Sequence, residues 1–155
     1  KFRLLLRRLR GSDPTLRKSF RNEYYWFSKQ PRKQYLLGVE VAKKPKMKRT
    51  GCYSQGVGAA MISKNYALQN KKKLSLKWAK ISEKAWLKFF KLDSEWHNAY
   101  FFYAMALGYQ DRLKESDKAL MKAAKLSGNA ETLKVIKKDQ REIRQIHSLL
   151  YKSAK

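Results

Sequence analysis

The chain has one cysteine, Cys52, and two histidines, His97 and His147, in 155 residues. A lone thiol closes no intramolecular disulfide, and the histidines stand fifty residues apart. Disulfide scaffolds and zinc modules are therefore excluded. Acidic residues are scarce as well: 12 Asp and Glu stand against 37 Lys and Arg, a net charge of +25. Paired carboxylates in an apolar run are missing, and so is a nucleophile elbow. Gly51, Gly56 and Gly58 lack both the spacing and the Lys-Ser/Thr ending of a phosphate loop. No enzymatic activity, metal or other cofactor is expected. The longest uncharged stretch, Trp96 to Gln110, falls short of the ~18–20 apolar residues needed to cross a bilayer, so no membrane insertion is expected.

With only 7 Gly and 3 Pro and 43% hydrophobic residues, the chain can still bury a core. Its length suits one domain, or one domain with an arm. A folded polycation repels itself, and it is tolerable chiefly beside a partner that supplies the opposite charge. The surplus is uneven. Residues 1–50 carry +13, residues 51–92 carry +8, and residues 93–155, with twelve basic and eight acidic residues, carry +4. Polyanion contacts are expected upstream, and protein contacts in the mixed-charge last third.

Sustained alternation is absent and 3.6-residue periodicity recurs, so the fold is expected to be mainly α. The reading is an irregular helical bundle with a basic extended loop, a C-terminal helical hairpin and a long last helix. Basic N-terminal helices over residues 1–42 run from Phe2 to Arg10 and from about Pro14 to Lys29, the second closed by Gln30-Pro31. A short apolar piece, Tyr35 to Ala42, follows. Residues 43–57 are expected as the extended loop, because Pro45, Gly51 and crowded positive charge all disfavour a packed element. Residues 58–155 make the helical domain. It has a weaker helix from Gly58 to Gln69, a strong one from Leu74 to Leu92, and a hairpin of Trp96–Leu107 and Asp111–Leu126. A last helix, Ala130–Tyr151, carries Ile136, Ile143 and Leu150 in a seam with Leu133 and Ile146 beside it.

The Leu74–Leu92 helix carries the strongest functional signal. At 100° per residue, Lys77, Lys80, Lys84, Lys88 and Lys91 share an arc of roughly 80°. Leu74, Trp78, Ile81, Ala85, Phe89 and Leu92 cluster about 100° further round, as the expected packing face. Lysine faces are ordinarily solvated surfaces, but those interleave glutamates, and here only Glu83 interrupts. Spaced by three and four residues, these ammonium groups can follow an anionic groove wall of an RNA duplex. Upstream, Arg3, Arg7, Arg8 and Arg10, then Arg17, Lys18 and Arg21, supply guanidinium forks that match phosphate oxygens. The loop adds Lys43, Lys44, Lys46, Lys48 and Arg49. It reads equally as a nuclear-localisation patch, an arm threading between RNA helices or a linker. The aromatic clusters Tyr24–Phe27, Trp86 with Phe89-Phe90, and Tyr100–Tyr103 could stack on bases. All lie on helical segments that need a core, and packing is their expected use.

Two resemblances follow from these residues. Phe2-Arg3, Leu5-Leu6-Arg7 and Phe27 resemble the aromatic-Arg pair, the Leu-Leu-Arg step and the distal Phe of the mitochondrial LYR-motif family. That likeness implies a three-helix assembly factor or accessory subunit with acyl carrier protein as partner. The hairpin Asn98–Leu126, with Ala99, Gly108-Tyr109, Ala119 and Leu126, resembles a single tetratricopeptide-type unit, and with no repeat elsewhere it must pack on its neighbours.

The expectation is a structural RNA-binding protein of a large ribonucleoprotein. The expected particle is a mitochondrial ribosome, with rRNA or other structured RNA on the basic faces and neighbouring proteins on the C-terminal helices. The chain begins at Lys1 rather than Met, as a processed or trimmed chain does; this and the LYR resemblance point to a mitochondrion, a cytoplasmic ribonucleoprotein being the other location. The alternative is an LYR-like accessory subunit that meets acyl carrier protein through its N-terminal arginines. A nuclear DNA-binding protein ranks below both, because no recognition-helix or zinc motif is visible.

Overall fold

The computed structural model describes residues 29–151. Among them the chain is all helical: α1 Pro31–Ala42, a 3-10 turn Pro45–Met47, α2 Lys48–Leu68, α3 Lys72–Phe90, α4 His97–Gly108, α5 Leu113–Ser127 and α6 Ala130–Tyr151. The mainly α fold is as the periodicity implies. α1 packs on α2, and α2 pairs with α3 in a hairpin closed by Asn70 at φ 57°. α4 and α5 form the second hairpin, α4 also touches α2 and α3, and α6 crosses both hairpins. The expected helices before residue 29, and the arginines on them, lie outside the described residues.

The basic segment is the first correction. Residues 43–57 are not an extended loop: only Lys43 to Met47 turn the corner, and α2 begins at Lys48, ten residues before the expected Gly58. Pro31 likewise opens α1 at its first turn, where the missing N–H costs nothing. The glycines that suggested a break allow helices to approach closely. A Cβ at Gly51 would lie 2.6 Å from Ala42 Cα, one at Gly58 2.7 Å from Tyr35 N, and one at Gly56 2.7 Å from Trp86 Cζ2. Side chains at these positions would push α1 and α3 off α2, and the burial so gained outweighs glycine's poor helix propensity. The boundary between residues 57 and 58 therefore cuts through α2, whereas that between 42 and 43 falls at the end of α1.

The α2–α3 seam is small and polar. Ser63 Oγ donates to Ser75 O at 2.8 Å, and Ser82 Oγ donates to Gly56 O at 2.8 Å. The Trp86 indole N–H donates to Ser82 Oγ at 3.1 Å, so one chain of bonds fixes the register of the pair. Trp86 is fully buried, stacked on Phe102 at 6.1 Å and met edge-on by Tyr53 at 5.5 Å. The ring clusters of α3 and α4 thus build the core, as expected for aromatics on helices that must pack.

The C-terminal half follows its sequence pattern closely. Gly128 ends α5 at φ 60°, where a left-handed residue closes the helix. Ser116 Oγ donates to Ala104 O at 2.8 Å across the α4–α5 hairpin. Ile136, Ile143, Ile146 and Leu150 bury one side of α6, whereas Leu133 is exposed. No described helix is long and apolar enough to cross a membrane.

Candidate nucleic-acid interface

On α3 the buried residues are Ser75, Ala79, Ser82, Ala85, Trp86 and Phe89. This corrects part of the expected packing face: Ala85 and Phe89 are buried as expected, but Leu74 and Leu92 are exposed, and Trp78 is half-buried beside Tyr35 at 5.1 Å between ring centroids. Hydrophobicity alone misses the seam, because serine and alanine let α3 lie close to α2. At 100° per residue, Lys77, Lys80, Lys84, Lys88 and Lys91 lie roughly opposite the buried face rather than beside it. All five are exposed. None forms an ion pair with a described carboxylate. From Lys77 to Lys91 the row runs about 21 Å along the axis, at 1.5 Å per residue.

Glu83, the single acid on α3, does not neutralise this row. Its side chain is 16% exposed and turned to the second hairpin, where Arg112 Nη1 and Gln110 Nε2 donate to it at 2.6 Å and 2.9 Å. Arg112 is also bound to Glu115, and the two carboxylates hold its guanidinium well above the ordinary arginine value. Glu115 in turn is held below the ordinary carboxylate range by Arg112.

The corner residues Lys43, Lys44, Lys46 and Lys48 are exposed. Lys48 and Lys88 both act electrostatically on the thiol of Cys52. Burial dominates at that thiol, raising it above its usual value, and the two lysines oppose the rise. Cys52 is a buried, protonated core residue.

Arg49 departs from the expected site. Its Nε donates to Asp93 Oδ2 at 2.7 Å, and its guanidinium lies 4.1 Å from the Trp96 ring and 5.5 Å from that of Phe89. It clips α2 to the segment before α4 and is not part of the open basic surface. Arg3, Arg7, Arg8, Arg10, Arg17, Lys18 and Arg21 lie outside the described residues. The structure therefore leaves Lys43, Lys44, Lys46 and Lys48 exposed at the corner and the five lysines of α3 exposed along that helix, and sets Arg49 apart. Sequence reading missed Lys71, Lys72 and Lys73, which lead into α3 and are exposed at the other end of the hairpin; three consecutive lysines were the available signal. Lys72 is partly engaged, its ammonium lying 4.0 Å from the Tyr151 ring centroid.

The two histidines make local side-chain contacts. His147 Nε2 meets Asp111 Oδ1 at 2.6 Å and its ring stacks on Tyr151, while His97 touches Phe101. No group of three metal-ligating side chains occurs among the described residues. Beside the basic surface lies a separate cavity of about 830 Å³ between α2, α4 and α6, with Gln34 of α1 in its wall.

These features define a class: a mainly helical, strongly basic protein whose described residues present a lysine row, without described acidic partners, opposite the core. No family model, curated protein or solved structure matches the chain.

Proposed function

We propose that this protein is a non-enzymatic RNA-binding component of a large ribonucleoprotein, a mitochondrial ribosome being the particle proposed. The observation that carries the reading is the lysine row of α3, exposed, without described acidic partners and set opposite the buried face. Each ammonium placed on a phosphate releases condensed counterions, and a fixed RNA partner offsets the self-repulsion of a +25 chain. A straight row of lysines at three- and four-residue steps reads backbone position and shape rather than base identity. The mixed-charge faces of α5 and α6 suit contacts with neighbouring proteins.

Sedimentation of the endogenous protein from fractionated cells, with and without RNase, tests the proposal. Co-migration with a ribosomal subunit, lost after RNase, is the expected result, and the fraction names the compartment. Migration in a small complex indifferent to RNase would overturn it and favour the acyl-carrier-protein alternative.

A further inference from the structure

At the turn between α2 and α3 an open cavity of about 570 Å³ lies beside the start of α1. Two pieces of local structure build it. The chain leaves α2 through Asn70 at φ 57°, where the Lys71 N–H donates to Tyr66 O and the Asn70 N–H donates to Ala67 O, both at 2.9 Å. This pair of bonds is that of a left-handed helix stop, and it fixes Lys71 beside the last turn of α2. Gly58 lets the first turn of α1 lie against α2, and Arg32 Nη2 donates to Tyr66 Oη at 2.6 Å. Around Tyr66 the cavity wall has two exposed amides, Asn65 and Gln69, and three exposed cations, Arg32, Lys33 and Lys71. Pro31 and Ile62 add apolar surface. No described carboxylate lines the cavity, and none forms an ion pair with these three cations. Lys73, exposed and four residues before Lys77, falls within the arc of the lysine row, so the row reaches the same turn.

We propose that this cavity receives one unpaired nucleotide of the bound RNA, its base against Tyr66 and Arg32, the base edge met by the amides and the phosphate by Lys33 and Lys71. The lining decides the ligand chemistry. Three cations with no described acid among them select an anion. A tyrosine ring, an apolar wall and a volume of about 570 Å³ are more than a bare phosphate uses, and they suit a nucleotide. Tyrosine faces and guanidinium planes are the surfaces on which unstacked bases lie, and amide side chains bond base edges. The inference rests on the RNA reading of α3 and deepens it. The lysine row follows the backbone of a duplex, and the cavity takes the strand where pairing ends.

The experiment uses the full chain and fluorescence anisotropy at 0.1 M salt with three RNAs: a blunt duplex, the same duplex with a 3′ overhang of four adenosines, and one whose overhanging nucleotides lack their bases. The adenosine overhang is expected to bind about tenfold more tightly than the blunt duplex, and the abasic overhang to gain less than about threefold. Tyr66→Ala removes the adenosine advantage and leaves the blunt duplex unchanged. Tyr66→Phe, which keeps the ring, retains most of the advantage, and Arg32→Gln reduces it several-fold. Reversing Lys77, Lys84 and Lys91 to Glu weakens both RNAs and preserves their ratio, so the cavity and the row are read separately. Thermal melts monitored by circular dichroism identify any variant that does not fold. Equal affinity for the blunt and adenosine-tailed duplexes, an abasic tail as good as the adenosine one, or an advantage that survives Tyr66→Ala would overturn the proposal. Binding of the tailed duplex without the blunt one supports the cavity and contradicts the duplex reading of the row; binding of neither overturns both.

Discussion

The two halves of the molecule handle charge in opposite ways. In the α4–α6 half, acids and bases meet: Asp117 takes Arg144, Glu131 takes Lys134, Asp111 takes His147, and Glu142 reaches across to Lys64 of α2. On the outer face of α3 and at the α1–α2 corner, no lysine has such a partner among the described residues, and the one acid of α3 is drawn away by Arg112. Most of those surface pairs stabilise the fold little. What the contrast teaches is where repulsion is left standing. On the proposed reading, a helix that keeps five ammonium groups on one line, while carboxylates are paired elsewhere, is arranged for an external polyanion.

The most severe way to break this contrast is to reverse the row. Lys77→Glu, Lys84→Glu and Lys91→Glu together should weaken binding to a duplex RNA about a thousandfold near 0.1 M salt, since each substitution removes a phosphate contact and adds a repulsion. The melting temperature should hold or rise. Reversing Lys114, Lys118 and Lys125, exposed on α5, should cost less than about tenfold, the long-range charge effect alone. Filter binding with both triple variants makes the comparison.

A second break is structural. Gly56→Leu would drive a side chain into the Trp86 ring and separate α2 from α3, at a cost of about 3 kcal/mol in urea denaturation. Arg49 sharpens the boundary between the halves: Arg49→Gln should lose about 1 kcal/mol of stability, from its Asp93 pair and aromatic contacts, yet change RNA affinity less than about threefold. The smallest effect concerns pH. Burial raises Asp139 from 3.8 to about 6 in the fold, so its proton is held more tightly folded than unfolded. The resulting stability is fully present below about pH 4 and is lost as pH rises through about 6. Since the group is partly solvated, the screened difference between the protein and Asp139→Asn should be about 1 kcal/mol or less, read from urea midpoints at pH 4 and 7.

How much of this was legible in the sequence differs by element. The boundaries of α4, α5 and α6 fall within a residue or two of expectation because Gly128 and the Ile136, Ile143, Leu150 step are unambiguous signals. α2 was obscured because Gly51, Gly56 and Gly58 look like breakers to a local reading, and only the approach of Ala42, Trp86 and Tyr35 reveals their use. The packing face of α3 was partly misplaced for the same reason in another form: Ser75 and Ser82 bury without being hydrophobic. The lysine row itself was visible, since charge and helical period need no partner to be read. Arg49 was indistinguishable from its lysine neighbours until Asp93 and Trp96, more than forty residues on, came beside it.

The most direct test of the central claim is the salt dependence of binding to an RNA duplex. With five to nine lysines on phosphates, the plot of log affinity against log salt should have a slope of roughly −4 to −8, and the triple reversal on α3 should make it shallower by about 2 to 3. A wild-type slope near −1, or a slope the reversal leaves unchanged, would show that the lysine row of α3 does not grip RNA.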